Sequence, residues 1–200
     1  MGPQAAAETA SLGASERLRA IIREKSYRSG QTVRLTSGKT STFYVNLKPT
    51  MMDPEGAALL AKLVLAEARA AGAELVGGLE MGAVPIVSAV AAESYRSADG
   101  GGRISGFFVR KKPKEHGVQA LIEGLDERHS LDGRRVMIVE DVTTTGGSIL
   151  QAVEAARAAG ADVAGVLTIV DRNEGAGEAV AQHGLELKSL FTAADFAEAA

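Results

Sequence analysis

Two adjacent acids, Glu140 and Asp141, end an apolar run and stand just ahead of Thr143, Thr144, Thr145, Gly146, Gly147 and Ser148. These residue types, in this order, define a chemistry. A loop that opens a helix presents unpaired backbone N–H groups and the positive end of the helix dipole, a combination that favours phosphate. Gly146 and Gly147 let the backbone approach the anion with no Cβ in the way, and the hydroxyls add donors. Open α/β sheets bind ligands at the carboxyl ends of their strands, where the two acids would hold sugar hydroxyls. A phosphorylated sugar satisfies both halves of such a site. The chain contains no G-x-x-x-x-G-K-[ST] run, so a P-loop is not the explanation. A Gly-Gly turn after a solvated strand end would by itself mean nothing. The fully apolar strand leading into two acids sets this one apart.

A second group is cationic. Arg110, Lys111, Lys112, Lys114 and His116 put four cations and a histidine into seven residues. About twenty residues of weak periodicity separate the flanking strands, and loops of that length inside a compact domain are often functional. A charge run is ordinarily a solvated face. Beside a site that wants a polyphosphate, it reads as a cationic lid. Arg172 follows a long apolar run; it would make a bidentate contact to a carboxylate or base edge, or else a surface ion pair with Asp171 or Glu174. Residues 80–85 (EMGAVP) form another strand–loop–helix crevice, either for a second anionic group such as diphosphate or for nothing at all.

These groups need a frame. Val136, Met137, Ile138 and Val139 suit a central strand of a parallel sheet, buried on both faces and ending at the acids. Ile149, Leu150, Val153 and Ala156 then follow a helical spacing up to Gly160. Further strands are expected at 75–79, 104–109, 162–170 and 185–190. Asp53-Pro54-Glu55 is a helix start, with a cap, a proline and an acid in the first turn, and Gly72 is its stop. Ile86, Val87, Val90 and Tyr95 give another helix. Residues 1–13 are rich in Ala, Gly and Pro and expected to be mobile; Ser15 would cap a helix carrying Leu18, Ile21 and Ile22. Residues 32–47 alternate as a β-hairpin turning at Ser37-Gly38-Lys39, either a base-recognising hood or an edge ornament. Residues 99–102 read as a turn, and Thr192 caps a short final helix with Asp195 three residues on. Strands and helices alternate throughout. The expected fold is α/β, a central mostly parallel sheet flanked by helices. It forms a single domain, 1–200, with residues 14–50 as a small N-terminal hairpin hood.

Composition excludes several classes. A formal net charge of −3 gives no overall attraction to nucleic acid. Aromatic content is 4% and Trp is absent, which argues against base-stacking surfaces. There are no cysteines, hence neither disulfides nor a thiolate metal site. No apolar run reaches the length of a membrane helix and no signal-peptide pattern opens the chain, so a cytoplasmic location and no membrane partner are expected.

The run from residue 135 to 148 resembles the phosphoribosyl-diphosphate (PRPP) motif of type I phosphoribosyltransferases: four apolar residues, two acids and a Thr/Gly-rich loop. Three further stretches resemble the orotate phosphoribosyltransferase family in particular. L-x-S-G-K-x-S-x-F-Y at 35–44 is like its base-binding hairpin. R-K-x-x-K-x-H-G at 110–117 is like its catalytic loop, and V-D-R-x-E-G at 170–175 is like the segment whose arginine meets orotate. The resemblance implies a type I phosphoribosyltransferase fold and an enzyme that turns orotate and PRPP, with Mg²⁺, into orotidine 5′-monophosphate and diphosphate. It implies that Lys111, Lys114, His116 and Asp141 are catalytic. PRPP would be held by Arg110, Lys111, Lys114, His116, Glu140, Asp141 and residues 143–148. Orotate would meet Thr144, Arg172, Lys39 and Tyr44. Mg²⁺ would be held mainly through PRPP, with Asp141 as the candidate protein ligand. A homodimer with shared active sites is implied, the cationic loop reaching across the interface. The chain departs from many relatives at Thr36, where they carry a lysine that reaches the substrate and for which Lys39 or Arg34 would have to substitute. It departs again at 80–82, where relatives often carry another lysine.

Two other functions compete. A purine phosphoribosyltransferase would share the PRPP motif but lack this form of cationic loop. A non-catalytic PRPP-binding regulator of transcription would need a nucleic-acid surface, which neither the net charge nor any motif supplies.

Overall fold

The computed structural model of the protein describes residues 3–34, 40–97, 102–112, 121–126 and 130–196, with side chains throughout except at 3–11, 30–34 and 40–42. The chain opens with α1 (Pro3–Lys25), the strands β1 (Tyr27–Arg34) and β2 (Thr40–Val45), and the helices α2 (Lys48–Met51) and α3 (Pro54–Ala70). It continues through β3 (Leu75–Leu79), α4 (Ala83–Arg96), β4 (Ser105–Val109), β5 (Ile122–Glu123), β6 (Arg135–Thr143) and α5 (Gly147–Ala158). It closes with β7 (Asp162–Asp171), α6 (Ala176–Ala181), β8 (Leu187–Thr192) and a 3₁₀ turn, Ala193–Phe196.

Six of the strands form one sheet in the order β5-β4-β3-β6-β7-β8. Each described pair in it is parallel except β4 with β5. Strand β6 shows why its apolar run sits at the centre. Val136 and Ile138 enter one core with Ile149, Val153 and Val180 from α5 and α6. Met137 and Val139 enter the other, with Leu60, Val64, Ile86 and Val90 from α3 and α4. Alternation along a strand requires this, and helices on both faces satisfy it. Leu18, Ile22, Val45 and Leu47 of the N-terminal segment belong to that second core.

The helix start at residue 53 is built as its sequence demands: Asp53 Oδ1 accepts from the N–H groups of Glu55 and Gly56 at 3.1 and 2.9 Å. At the other end of the chain, the Thr192 N–H and hydroxyl both donate to Asp195 Oδ2, at 2.6 and 2.9 Å, closing the 3₁₀ turn. Strands β1 and β2 pair antiparallel, Tyr27 opposite Val45 and Arg34 opposite Thr40. An aromatic chain ties the hairpin to the sheet: Tyr27 lies 6.0 Å from Phe43 and 5.8 Å from Phe196, which lies 5.7 Å from Phe191 on β8.

Several expectations need correction. Residues 3–13 are helical, the start of α1, where Ala5, Ala6, Ala7 and Ala10 are strong helix formers. The first hairpin strand begins at Tyr27, earlier than the alternating pattern indicated; its turn, Ser37 to Lys39, lies outside the described residues, as do most of residues 99–102. Strand β6 does not stop at the acids. It runs on to Thr143 because β7 keeps pairing with it, Glu140 opposite Thr168 and Thr143 opposite Asp171. Strand β8 sits two residues later than expected. The two-residue β5 and the six-residue α6 are too short to show a period. Among the described residues, no helix is long and apolar enough to cross a membrane.

Candidate active site

Strand β6 carries Glu140 and Asp141 to the carboxyl edge of the sheet, residues 144–146 link it to α5, and residues 80–82 link β3 to α4. Two helix N-termini therefore open on the same edge. The N-cap of α5 is Gly146, whose φ of 84° is left-handed and costs glycine little. Neither Gly146 nor Gly82, the N-cap of α4, has a side chain to cap the first-turn N–H groups. First-turn donors without a side-chain cap are what an anion site requires. Gly82 is also demanded by space: a Cβ there would stand 2.6 Å from both Glu140 Oε1 and Asp141 Oδ1. A cis peptide joins Glu80 to Met81.

Between these elements lies a crevice of ≈ 440 Å³. Three carboxylates line it, Glu80, Glu140 and Asp141, with the lysines Lys48 and Lys111 and the Ser148 hydroxyl. Met81, 62% exposed, borders it as well. A groove of ≈ 460 Å³ between α1 and α3 is lined by Leu59, Leu63 and Ala66 with Arg17 and Lys62, and holds none of the expected site residues.

Glu140 is 6% exposed. Burial pushes its carboxyl up to about 9, and a hydrogen bond to the Asp141 carboxylate and that group's negative charge push the same way. The Asp141 N–H, donating to Glu140 Oε1 at 3.2 Å, and the charge of Lys111 oppose the rise. Asp141 Oδ1 accepts the Val142 N–H at 2.8 Å. Burial and the neighbouring acid thus favour the protonated form of Glu140.

The expected residues divide into groups. Lys111, Glu140, Asp141 and Ser148 share the crevice, and Lys111 does so within its own chain, needing no partner subunit to get there. Thr143 is buried, its carbonyl accepting the Arg172 N–H at 3.0 Å, while Thr144 is half-buried and Thr145 and Gly147 are exposed beside α5. Arg110 points elsewhere: its guanidinium lies 3.7 Å from Glu123 Oε1, and its Nε donates to the Lys112 carbonyl at 3.2 Å. Lys39, Lys114 and His116 lie outside the described residues.

Arg172 is no surface residue. Its side chain is 3% exposed, its Nε donates to Glu174 Oε1 at 2.8 Å, and its guanidinium carbon stands 4.4 Å from the centre of the Phe43 ring. Tyr44 is 40% exposed. Successive strand residues face opposite ways, so Phe43 and not Tyr44 shares a side with Arg172. The signal for Phe43 was present in the alternation of Phe43, Val45 and Leu47 toward the core. Lys48 and Glu80 are the other residues the sequence reading left without a role in the site. Lys48 opens a four-residue helix and carries no pattern that would single it out.

Residues 56–186 match the family model of the phosphoribosyl transferase domain. The chain is 54% identical over 180 residues to the orotate phosphoribosyltransferase of Rhodopseudomonas palustris (strain BisB5), covering 90% of this chain and 94% of that protein. The orotate phosphoribosyltransferase of Mycobacterium tuberculosis H37Rv, solved in complex with Fe(III) dicitrate, superposes with a TM-score of 0.76 at 37% identity, covering 92% of this chain and 98% of that one. The same enzyme in complex with PRPP superposes with a TM-score of 0.72 at 34% identity and the same coverage.

Proposed function

The chain belongs to the orotate phosphoribosyltransferases, and we propose how its own residues carry out the reaction of that family. The reaction moves the 5-phosphoribosyl group of PRPP to orotate, giving orotidine 5′-monophosphate and diphosphate on the way to UMP. The observation that carries the assignment of roles is the joint placement of a buried Glu140, its neighbour Asp141 and Lys111 on a crevice beside the uncapped start of α5.

In this proposal the first-turn N–H groups of α5, with Thr144, Thr145 and Ser148, hold the 5′-phosphate. Glu140 and Asp141 face the ribose hydroxyls. Lys111 meets the diphosphate; Arg110, which in its own chain turns toward Glu123, would join it with Lys114 and His116 from the neighbouring subunit's loop, as the family resemblance implies. A ring nitrogen of orotate bonds to the anomeric carbon and gives up its proton to the departing diphosphate or to solvent, while the C–O bond to diphosphate breaks and its electron pair leaves with the diphosphate. Negative charge therefore grows on the leaving group, and cations in a water-poor crevice stabilise it more in the transition state than before. The diphosphate being released is itself a proton acceptor, so no strong general base from the protein is needed. Arg172, with Phe43 against its guanidinium, recognises the orotate side.

Mg²⁺ fits the donor set here. Asp141 and, once ionised, Glu140 are hard oxygen ligands of the kind it prefers. Among the described residues, no group of three or more His, Cys, Asp or Glu is placed to hold a metal, so substrate oxygens and water would complete the shell. When bound, Mg²⁺ would neutralise part of the charge of the diphosphate as it leaves. A homodimer with shared sites and a cytoplasmic location complete the proposal, on the strength of the family resemblance.

The deciding experiment is spectroscopic: orotate depletion on adding PRPP and Mg²⁺, with adenine and hypoxanthine in parallel. Depletion of orotate alone is expected. Consumption of a purine and not orotate, or of no base by folded protein, would overturn the reading.

A further inference from the structure

We propose that Glu80 is a positioning residue for Lys111, acting together with Gln151, and that this is why the crevice tolerates an acid where a diphosphate must bind. The proposal rests on the reading above that Lys111 meets that diphosphate. The Lys111 N–H donates to Glu80 Oε1 at 2.9 Å. On the other side of the same residue, Gln151 Nε2 donates to the Lys111 carbonyl at 3.3 Å. Glu80 is itself tied to the strand that leads to Lys111, its own N–H donating to the Val109 carbonyl at 2.8 Å. The Arg110 N–H donates to the Leu121 carbonyl at 2.9 Å. The main chain at Lys111 is thereby fixed from the β3–α4 link, from α5 and from its own hairpin, while its side chain stays exposed along the crevice.

The carboxylate of Glu80 costs something here. It lines the same crevice as Glu140 and Asp141 and adds a negative charge where an anion is to bind. A charged acceptor also makes the stronger hydrogen bond to a backbone N–H. Fixing the main chain of a binding lysine removes conformational freedom that would otherwise be lost on binding. Gln151 couples the carbonyl of the same residue to the helix whose N-terminus holds the 5′-phosphate, so both ends of PRPP are referred to one rigid frame.

The test compares Glu80→Ala, Glu80→Gln, Gln151→Ala and Lys111→Ala, reading amide hydrogen exchange at residue 111 by NMR together with KM and kcat. Glu80→Ala should speed exchange of the Lys111 amide and raise the KM for PRPP, each by about tenfold, with the KM for orotate unmoved. Glu80→Gln keeps an acceptor oxygen but makes the weaker neutral bond and removes one negative charge, so exchange should rise by less than in Glu80→Ala and the KM for PRPP should stay near wild type. Gln151 is exposed on α5, so Gln151→Ala will fold and should move both readouts in the Glu80→Ala direction by less. Unchanged exchange at Lys111 in Glu80→Ala, or equal losses in Glu80→Ala and Glu80→Gln, would overturn the positioning role. Lys111→Ala separates the premise: if the KM for PRPP does not rise there, Lys111 is not a diphosphate contact and the proposal falls with it, whatever the exchange shows.

Discussion

The guanidinium of Arg172 is held between the Glu174 carboxylate, 2.8 Å from its Nε, and the face of Phe43, 4.4 Å from its central carbon. Arg172 directly follows β7 and Phe43 lies on the N-terminal hairpin, so this contact joins the hood to the sheet. A cation against an aromatic face is worth about 0.5–2 kcal/mol, more when desolvated, and it fixes the plane in which the guanidinium presents its donors.

Arg172→Lys should therefore harm orotate recognition specifically. It keeps the charge but loses the planar fork, and a bidentate charged pair is worth about 1.5–3 kcal/mol, or ten- to a hundredfold and somewhat more in affinity. The expected outcome is a raised KM for orotate with the KM for PRPP nearly unchanged. Phe43→Ala should move the same parameter by less. Steady-state kinetics with each substrate varied in turn provides the check, and equal losses for both substrates would make Arg172 purely structural.

Asp141→Asn should lower turnover by roughly two to three powers of ten, the size of losing one well-placed charge-stabilising group. Asp141 is only half-buried, and its Oδ1 accepts one N–H that an amide oxygen also can accept. Folding should accordingly be little affected, with circular dichroism and Tm near wild type. A folded Asp141→Asn enzyme at full activity would remove the ribose-hydroxyl role from the acids.

Glu140 makes the apo protein's stability depend on pH. Its folded-state value of about 9 lies above the ordinary 4.5 of the unfolded chain. Between those limits the folded protein keeps a proton that the unfolded chain has released, so stability is fully present below about 4.5 and is lost as pH rises toward 9. Glu140→Gln cannot titrate and should flatten that slope, leaving the variant more stable than wild type near pH 8 while inactive or nearly so. Thermal unfolding from pH 5 to 9 without divalent cations reads this directly. A wild-type slope that survives the substitution would assign the pH dependence to other groups.

How much of this was legible beforehand follows from what each residue depends on. The PRPP segment was readable because everything in it is local: an apolar run, two acids and a hydroxyl-rich loop are contiguous, and the chemistry follows from their order. Asp53 and Thr192 were readable for the same reason, since a cap is settled within three residues. What could not be read depends on pairing across the chain. Strand β6 extends past its acids only because β7 continues beside it. Glu140 is abnormal chiefly because the fold buries it; its neighbour Asp141, which pushes the same way, was visible in the sequence, but the burial was not. Choosing between Phe43 and Tyr44 needs the side of the hairpin that meets Arg172, and the roles of Lys48 and Glu80 need the crevice itself.

The last prediction separates Lys111 from Lys114. In the structure Lys111 shares a crevice with Asp141 of its own chain, whereas the family resemblance has the cationic loop reaching into the neighbouring subunit. In the proposed homodimer the two lysines then behave differently on mixing. When Lys111→Ala and Asp141→Asn chains form a heterodimer, each lesion stays in its own site, both sites are damaged, and no activity should return. When Lys114→Ala and Asp141→Asn chains form a heterodimer, a Lys114 that acts across the interface puts both lesions in one site and leaves the other intact. Random mixing makes about half the dimers mixed, each with one good site of two, so roughly a quarter of wild-type activity should return. The chains must be exchanged by co-expression or by refolding together, with each variant alone as control and mixed dimers verified by mass. Rescue in the Lys111 pair would place Lys111 across the interface after all, and its absence in the Lys114 pair would keep Lys114 over its own subunit's site.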